Sequence, residues 1–582
     1  MLRSHGILPN VYNYCYYLTI ADHIMNKGEN VVTVGLDDTS KAAGHKLYNV
    51  KADNITIAGE GSKRKTFTTG LSEIVSHEGK EHAKVYEQKL KCLAVLSETT
   101  VNELKDFIDF WMSDRAGDNA TMFSHLGIDE ERVLKCCAHI ILGIDNAADR
   151  RFRIAEQKIG VQKLLNISAG QKAFCSPSTS IHTLGQIALS KLLSPSHAAQ
   201  SISLYSEYTQ WMSQKGILHE GFHGFTANRF GRIAEIAKEY TARRDSILQF
   251  FDECVNPNSN KLVLAVSTYI QNDWFHLCTR VYERLGFILI FPLMQLLGID
   301  KAKEVKREDR NWTGVREFFR QKIPELKNIR DNANADNEEE LLLSSVLDEV
   351  VDTVQRQLEE MRYFYEEEES ITEETETKLK HAPLTNLGAE TKFAKLNNRL
   401  MVSGGTTSID TLSRKDIVAT NALLVDSSFT ELSSDEKKKR WKWGRASENV
   451  KVARKLNKDL LKTIETNKRL ALEKKKELKK KNAAKALRTL EKCKDHNGPI
   501  TTRNIDILQN LTVNELLCEV AYLRNTIAPN IHQMRRVKGE DGKYKMEKFT
   551  KEELITGIKN AVQPETEAGH DIKKLLKQVL KK

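Results

Sequence analysis

ENVVTVGLDD, residues Glu29–Asp38, is the stretch on which the fold turns. Its β-branched run Val31–Val34 favours a strand, and the strand ends in two adjacent acids, Asp37 and Asp38. The residues before it, 1–30, read as a helical lead-in. After it, HKLYNVKADNITIAGEG (His45–Gly61) alternates apolar and polar residues and reads as two further strands joined tightly. KRKTFTTGLSEIV (Lys63–Val75) extends the sheet. A helix is expected over Glu78–Leu96, and a strand over LKDFIDFWMSD (Leu104–Asp114) that again ends in an acid. A short helix over Ala120–Leu126 follows. VLKCCAHIIL (Val133–Leu142) is a strand or the start of a helix. This order predicts a mixed α/β sheet with helices on its faces. Acids at the carboxyl ends of two strands would share the edge at which open α/β sheets bind ligands.

Further out the periodicity turns helical. Residues 31–144 carry the sheet, and 145–365 read as a large all-α insertion that ends in a long amphipathic helix, LLSSVLDEVVDTVQRQLEEMRYFY. Between Glu338 and Thr377 there are 15 acidic and 2 basic residues. The part over 366–381 is expected to be a mobile acidic linker. A second ordered block covers 382–425. From Glu436 to Asp495 the bias reverses, with 23 Lys and Arg against 8 Asp and Glu, and one long basic helix is expected over 435–500. A small leucine-rich helical module over 501–530 and a Lys-rich, partly disordered tail over 531–582 complete the chain.

The net charge of +10 favours a polyanionic partner. The nine cysteines are odd in number and have no disulfide-like spacing, which suits a reducing compartment. The most apolar run, Leu285–Ile299, contains Pro292 and Gln295 and is too short to span a bilayer, so a buried helix is expected and no membrane partner. The N-terminus lacks a secretory signal pattern, and the expectation is a soluble intracellular protein.

Four places could carry chemistry. Asp37 or Asp38 at a strand end could hold a divalent cation, because carboxylates are hard oxygen donors for Mg²⁺. An Asp there is also a common turn residue. Asp114 follows the second acid-ended strand; Asp118 or Asn119 explains the cap of the next helix better than Asp114 does. Cys136 and His139 have the C-x₂-H spacing that can open a structural Zn²⁺ site, and His219 and His223, an i, i+4 pair, could close it. A buried cysteine and a hydrogen-bonded core histidine explain the first pair as well. Glu390, in NLGAETKFAKLNNRL, reads alone as a surface or first-turn acid.

Taken in order, these places resemble the hAT superfamily of DNA transposases. DRAGDN (Asp114–Asn119) is similar to that family's D-x-A-x-N segment, and Cys136–His139 to its C-x₂-H motif. ANRFGR (Ala227–Arg232) resembles its T-R-W segment, with Phe230 where Trp is usual. PLTNLGAETKFAKLNNRL (Pro383–Leu400) with DTLSRKDIVATNALL (Asp410–Leu424) resembles the C-terminal block that bears the last catalytic Glu, here Glu390. The resemblance implies a ribonuclease-H-like domain interrupted by a helical insertion. It implies a carboxylate core of Asp37 or Asp38, Asp114 and Glu390, with Asp37 preferred by register. It implies Mg²⁺ or Mn²⁺, two ions about 3.5–4 Å apart, and phosphoryl transfer on DNA. It also implies a homo-oligomer and a place in the nucleus. The family's usual N-terminal zinc finger has no counterpart before Val31, so a transposon-derived protein that has lost activity is expected as readily as an active one.

The basic segment supplies a nucleic-acid candidate of its own. Lys437, Lys438, Lys439, Arg440, Lys442 and Arg445 surround Trp441 and Trp443, a mix suited to phosphate neutralisation. A solvated helix with Glu–Lys pairs is the competing reading. Two further functions stay open beside the nuclease: a non-catalytic DNA-binding protein, and a helical scaffold.

Overall fold

The computed structural model describes residues 4–39, 49–76, 78–115, 117–160, 178–195, 203–217, 222, 224, 230–257, 260–299, 310–361, 371–402, 408–425, 433–495, 505–526, 534–538 and 544–562. They fall into two units, a larger one containing Met1–Glu465 and a smaller one over Thr466–Asp571.

The larger unit starts with helix α1 (Ser4–Met25) and continues into β1 (Val31–Thr39), β2 (Asn49–Ala58) and β3 (Lys65–Ile74). The stretch His45–Gly61, expected as two strands, holds one long strand among its described residues, paired with β1 from Val31↔Ala58 to Thr39↔Val50. Nine paired positions satisfy more backbone groups than two short strands would. Helices α2 (Gly79–Leu96) and α3 (Val101–Phe107) follow, then β4 (Phe110–Ser113), α4 (Gly117–Leu126), β5 (Val133–Lys135) and α5 (Ala138–Ile159). The expected strand over Leu104–Asp114 is therefore half helix. Thr100 and Glu103 form a capping box that commits Val101–Phe107 to a helical start, and only the four buried residues after Asp109 pair in the sheet.

The sheet order is β3-β2-β1-β4-β5. β1 runs antiparallel to β2 and parallel to β4, and β4 is parallel to β5. Alternation sorts the β1 side chains. Val32, Val34 and Leu36 pack with Tyr86 and Leu93 of α2, Met122 and Phe123 of α4, and Ile20 of α1. Val31 packs on the opposite face with Phe110, Met112 and Leu134.

That second face leads straight into the helical region. One buried cluster runs from Val31 and Met112 through α5 into the helices beyond, so the two share a single core. The boundary expected at 144/145 falls inside α5, which runs unbroken from Ala138 to Ile159. The further helices are α6 (Ile181–Leu193), α7 (Tyr205–Gln214), α8 (Arg232–Cys254), α9 (Lys261–Ile270), α10 (Asp273–Leu285), α11 (Phe291–Leu296), α12 (Trp312–Asp331) and α13 (Glu338–Glu359). The buried apolar run is helical as expected, but Gly286–Ile290 makes a π turn just before Pro292, whose missing N–H disrupts the regular ladder.

The acidic linker is not wholly irregular. Glu373–His381 forms α14, capped by Thr372, with Glu373, Glu374 and Glu376 in its first turn and Lys378, Lys380 and His381 in its last. That distribution opposes the helix dipole at both ends, which is why an acid-rich tract is helical here. α15 (Leu387–Val402) then covers the face of the sheet opposite α2, and α16 (Ile409–Val425) runs along the outer edge of β3, where Asn421 and Ser413 bond the Thr68 and Leu71 backbone. Ala389, Leu396 and Leu400 pack with Ile409 and Leu412 on Val50, Ala52 and Leu71.

The expected single basic helix is two, α17 (Ser434–Ala446) and α18 (Glu448–Asp495). They part at Ser447, where Arg454 donates to the carbonyls of Gly444 and Arg445 and so satisfies the end of α17. In the smaller unit, α19 (Val513–Thr526) packs on α20 (Lys551–Val562) through Leu516, Val520, Leu554 and Ile558. Between them lies an antiparallel hairpin of β6 (Met534–Lys538) and β7 (Tyr544–Lys548). Of the Lys-rich tail over 531–582, the described residues are this hairpin and the stretch that carries α20. No helix among the described residues is long and apolar enough to cross a membrane.

Candidate metal centre

β1 and β4 are parallel neighbours with Gly35 opposite Met112. Two residues further along each strand are Asp37 and Asp114. A period of two keeps both on the face that carries Val31, Phe110 and Met112. Asp38 belongs to the other face, with Leu36. At the sheet edge all three carboxylates still approach, each offering an oxygen within 4.8 Å of the others. Asp37 is 8% exposed and its Oδ1 accepts from the Asp38 amide at 2.9 Å.

Each acid has its own support. Asn119, on the first turn of α4, is buried and donates its side-chain amide to Asp114 Oδ1. This explains Asn119 in DRAGDN better than a capping role does. Asp38 Oδ2 lies 3.8 Å from His82 Nε2 of α2. Asp38 also pairs in register with Lys51, a fully buried lysine whose Nζ donates to Met122 Sδ at 2.6 Å. Burial pushes the Lys51 ammonium down to about 8, against the opposing pull of Asp53 and Asp38.

The block after the insertion is tied to β1 by backbone-level contacts. Asn386 donates from its side chain to the Leu36 carbonyl at 3.2 Å, and the Leu384 carbonyl accepts from the Cys137 amide at 3.0 Å. Lys392 is buried and donates to the Asp53 carbonyl. Burial drives its ammonium down to about 7. These contacts set α15 over β1 and β2 on the Asp37 face. Glu390 lies in the first turn of α15; its side chain lies outside the described residues. Its neighbour Ala389 packs in the cluster that contains Ala52, the register partner of Asp37.

Of the four expected zinc ligands, Cys136 and His139 fall among the described residues. Cys136 is fully buried and its sulfur accepts from the Asn386 amide at 3.4 Å, so it serves the strap that carries Asn386. His139 packs edge-on against Phe230, with ring centroids 5.4 Å apart. Burial lowers its basicity while Asp114 opposes that shift. Phe230 is itself buried, 4% exposed, in the core that the helical region shares with the sheet. His219 and His223 lie outside the described residues. The only group of three or more metal-capable side chains among the described residues is Asp37, Asp38 and Asp114.

Of the basic segment, the side chains of Lys437, Arg440 and Trp441 lie outside the described residues. Lys438, Lys439, Lys442 and Arg445 are exposed, with Lys438 3.4 Å from Asp435. Trp443 is half-buried. It packs against the cluster of Tyr14, Cys92, Leu96 and Val450, so part of its ring anchors α17.

Lys51, His82, Asn386 and Lys392 were missed by the sequence reading. Lys51 had one available signal, a lysine on the apolar phase of an alternating strand. The others gave none, because their partners are distant in sequence. No family model matches the chain, and no curated protein sequence matches it.

Proposed function

We propose that Asp37, Asp114 and Glu390 form a divalent-cation centre of the ribonuclease-H-like type and that the chain performs, or descends from one that performed, phosphoryl transfer on DNA in the manner of hAT transposases. The observation that carries this is the convergence of Asp37 and Asp114 at one sheet edge, from neighbouring parallel strands in the order 3-2-1-4-5, with α15 laid on the same face. The donor set fits the ion. Carboxylate oxygens within 4.8 Å of one another are hard ligands suited to Mg²⁺ or Mn²⁺ and unsuited to a thiolate-preferring metal. Such an ion supplies charge neutralisation at a phosphodiester and a more acidic bound water.

The chain's own groups divide the remaining work. Asn119 engages one oxygen of Asp114 and so orients the other. Asn386 fixes the backbone next to Asp37. His82 lies 3.8 Å from Asp38 on the opposite face and Lys51 pairs with it in register, which favours Asp37 as the first ligand and Asp38 as an electrostatic neighbour.

Calorimetric titration of the full chain with Mn²⁺ tests the centre. Asp37→Asn and Asp114→Asn should each weaken binding by at least about tenfold, the lower end of what even an orienting partner is worth, and Asp38→Asn by less. Cleavage of labelled duplex DNA in Mn²⁺ reports whether transfer chemistry persists. Absence of Mn²⁺ binding by the unmodified chain, or equal binding by Asp114→Asn, would overturn the centre.

A further inference from the structure

The face of the sheet that carries Asp37 changes character along β2. Val50 and Ala52 are apolar and covered by α15. The next residues on the same face, Asn54 and Thr56, are polar, and Thr66 of β3 joins them, its hydroxyl 3.2 Å from that of Thr56. They form the floor of a cleft of about 780 Å³. One wall is the turn after α11 with Arg310, and the other is the end of α14 with the strap that follows. A sheet face that stays polar under a layer of helices is explained when it lines a wet site rather than a packed layer.

The lining is one-sided in charge. Lys63, Arg64, Arg310 and Lys380 supply four cations, and no Asp or Glu lines the cleft among the described residues. Arg64 donates to the His381 carbonyl at 3.2 Å, which holds its guanidinium at the rim. Arg310 Nε is buried and finds no acceptor among the described residues. Its guanidinium adds a planar donor group to the cationic lining, of the kind that recognises phosphate oxygens. No Phe, Tyr or Trp lines the cleft among the described residues, and His381 at the end of α14 brings a ring to its wall.

We infer that this cleft is a binding channel for the phosphodiester backbone of a single nucleic-acid strand, held through its phosphates without reading sequence. The occupant follows from the charge and from the position. Asn54 pairs with Gly35 and Ala52 with Asp37, so the inner end of the cleft lies two residues, roughly 7 Å, along β1 from the acid centre on the same face. The strap over Pro383, Leu384 and Thr385 lines the cleft, and the next residue, Asn386, bonds the Leu36 carbonyl beside Asp37. The identity of the anion as nucleic acid rests on the reading of the acid centre given above; the anion-binding character of the cleft does not.

Fluorescence anisotropy of a labelled oligothymidylate against KCl, with the full chain, tests this. Lys63 and Lys380 are exposed, so Lys63→Ala/Lys380→Ala should leave the fold intact by circular dichroism. The double variant should bind more weakly, and its log–log salt slope should fall by about 1.4, or about 0.7 per lost cation. Its Mn²⁺ titration should match that of the unmodified chain, while Asp114→Asn should keep oligonucleotide binding. Those two results separate the cleft from the metal centre. Unchanged affinity and slope in the double variant would overturn the inference, as would absence of oligonucleotide binding by the unmodified chain. Displacement of the oligonucleotide by equimolar inorganic triphosphate would also overturn it, in favour of a free polyphosphate.

Discussion

The side-chain amide of Asn386 donates to the carbonyl of Leu36 at 3.2 Å, joining residues 350 positions apart. Leu36 immediately precedes Asp37, and Asn386 immediately precedes the helix that bears Glu390. One hydrogen bond therefore sets the block after the insertion against the strand that carries the first acid.

Replacing Asn386 with Ala leaves the Leu36 carbonyl without this donor in a buried site. The expected loss is about 1–3 kcal/mol of stability. Urea denaturation followed by tryptophan fluorescence checks this. The same variant should bind Mn²⁺ more weakly than the unmodified chain under conditions where both are folded. Equal affinity would show that the strap does not position the acids.

Gly70 has φ +98°, a conformation that side chains rarely adopt, and it lies where α16 crosses β3. A Cβ at this position would overlap Ser413 Oγ and come within 2.8 Å of Ile417 Cδ1. Ser413 Oγ also accepts from the Leu71 amide at 2.7 Å, so it has little freedom to withdraw. Gly70→Ala should destabilise the larger unit by at least about 1–3 kcal/mol, the cost of the backbone conformation alone. A urea midpoint equal to that of the unmodified chain would mean that α16 does not hold β3 as described.

Glu156 is 2% exposed inside the helical region. Its oxygens accept from the Ile181 amide at 2.9 and 3.0 Å and from Trp274 Nε1 at 3.0 Å. Burial outweighs these bonds and raises the carboxyl from 4.5 to about 7. A carboxyl raised on folding favours the folded state fully below its unfolded value. That contribution is lost as pH rises through the folded value. The window is therefore about pH 4.5–7, and the difference across it is at most about 3 kcal/mol. Comparing the urea midpoints of Glu156→Gln and the unmodified chain across that window isolates this group from other carboxyls. The unmodified chain should lose stability relative to the variant as pH rises. A constant difference would refute the assignment.

The sequence by itself determined the local elements and the position of the acids in them. Val31–Val34 demanded a strand because β-branched residues favour extended backbone, and the order of strands and helices required a mixed sheet. Asp37, Asp38 and Asp114 were legible as strand-end acids for the same reason. Only the tertiary structure decided between neighbours. Strand register put Asp37 on the face opposite α2 and Asp38 beside Lys51 and His82, a distinction invisible until the pairing with β2 and β4 was fixed. Tertiary packing also set Trp443 partly against an apolar cluster and gave the Cys136 sulfur a bond from the Asn386 amide. The cleft beside the acids combines residues from positions 54 to 385. Its charge could not be read from any local window, because electrostatics and burial depend on distance in space, and the fold sets that distance independently of separation along the chain.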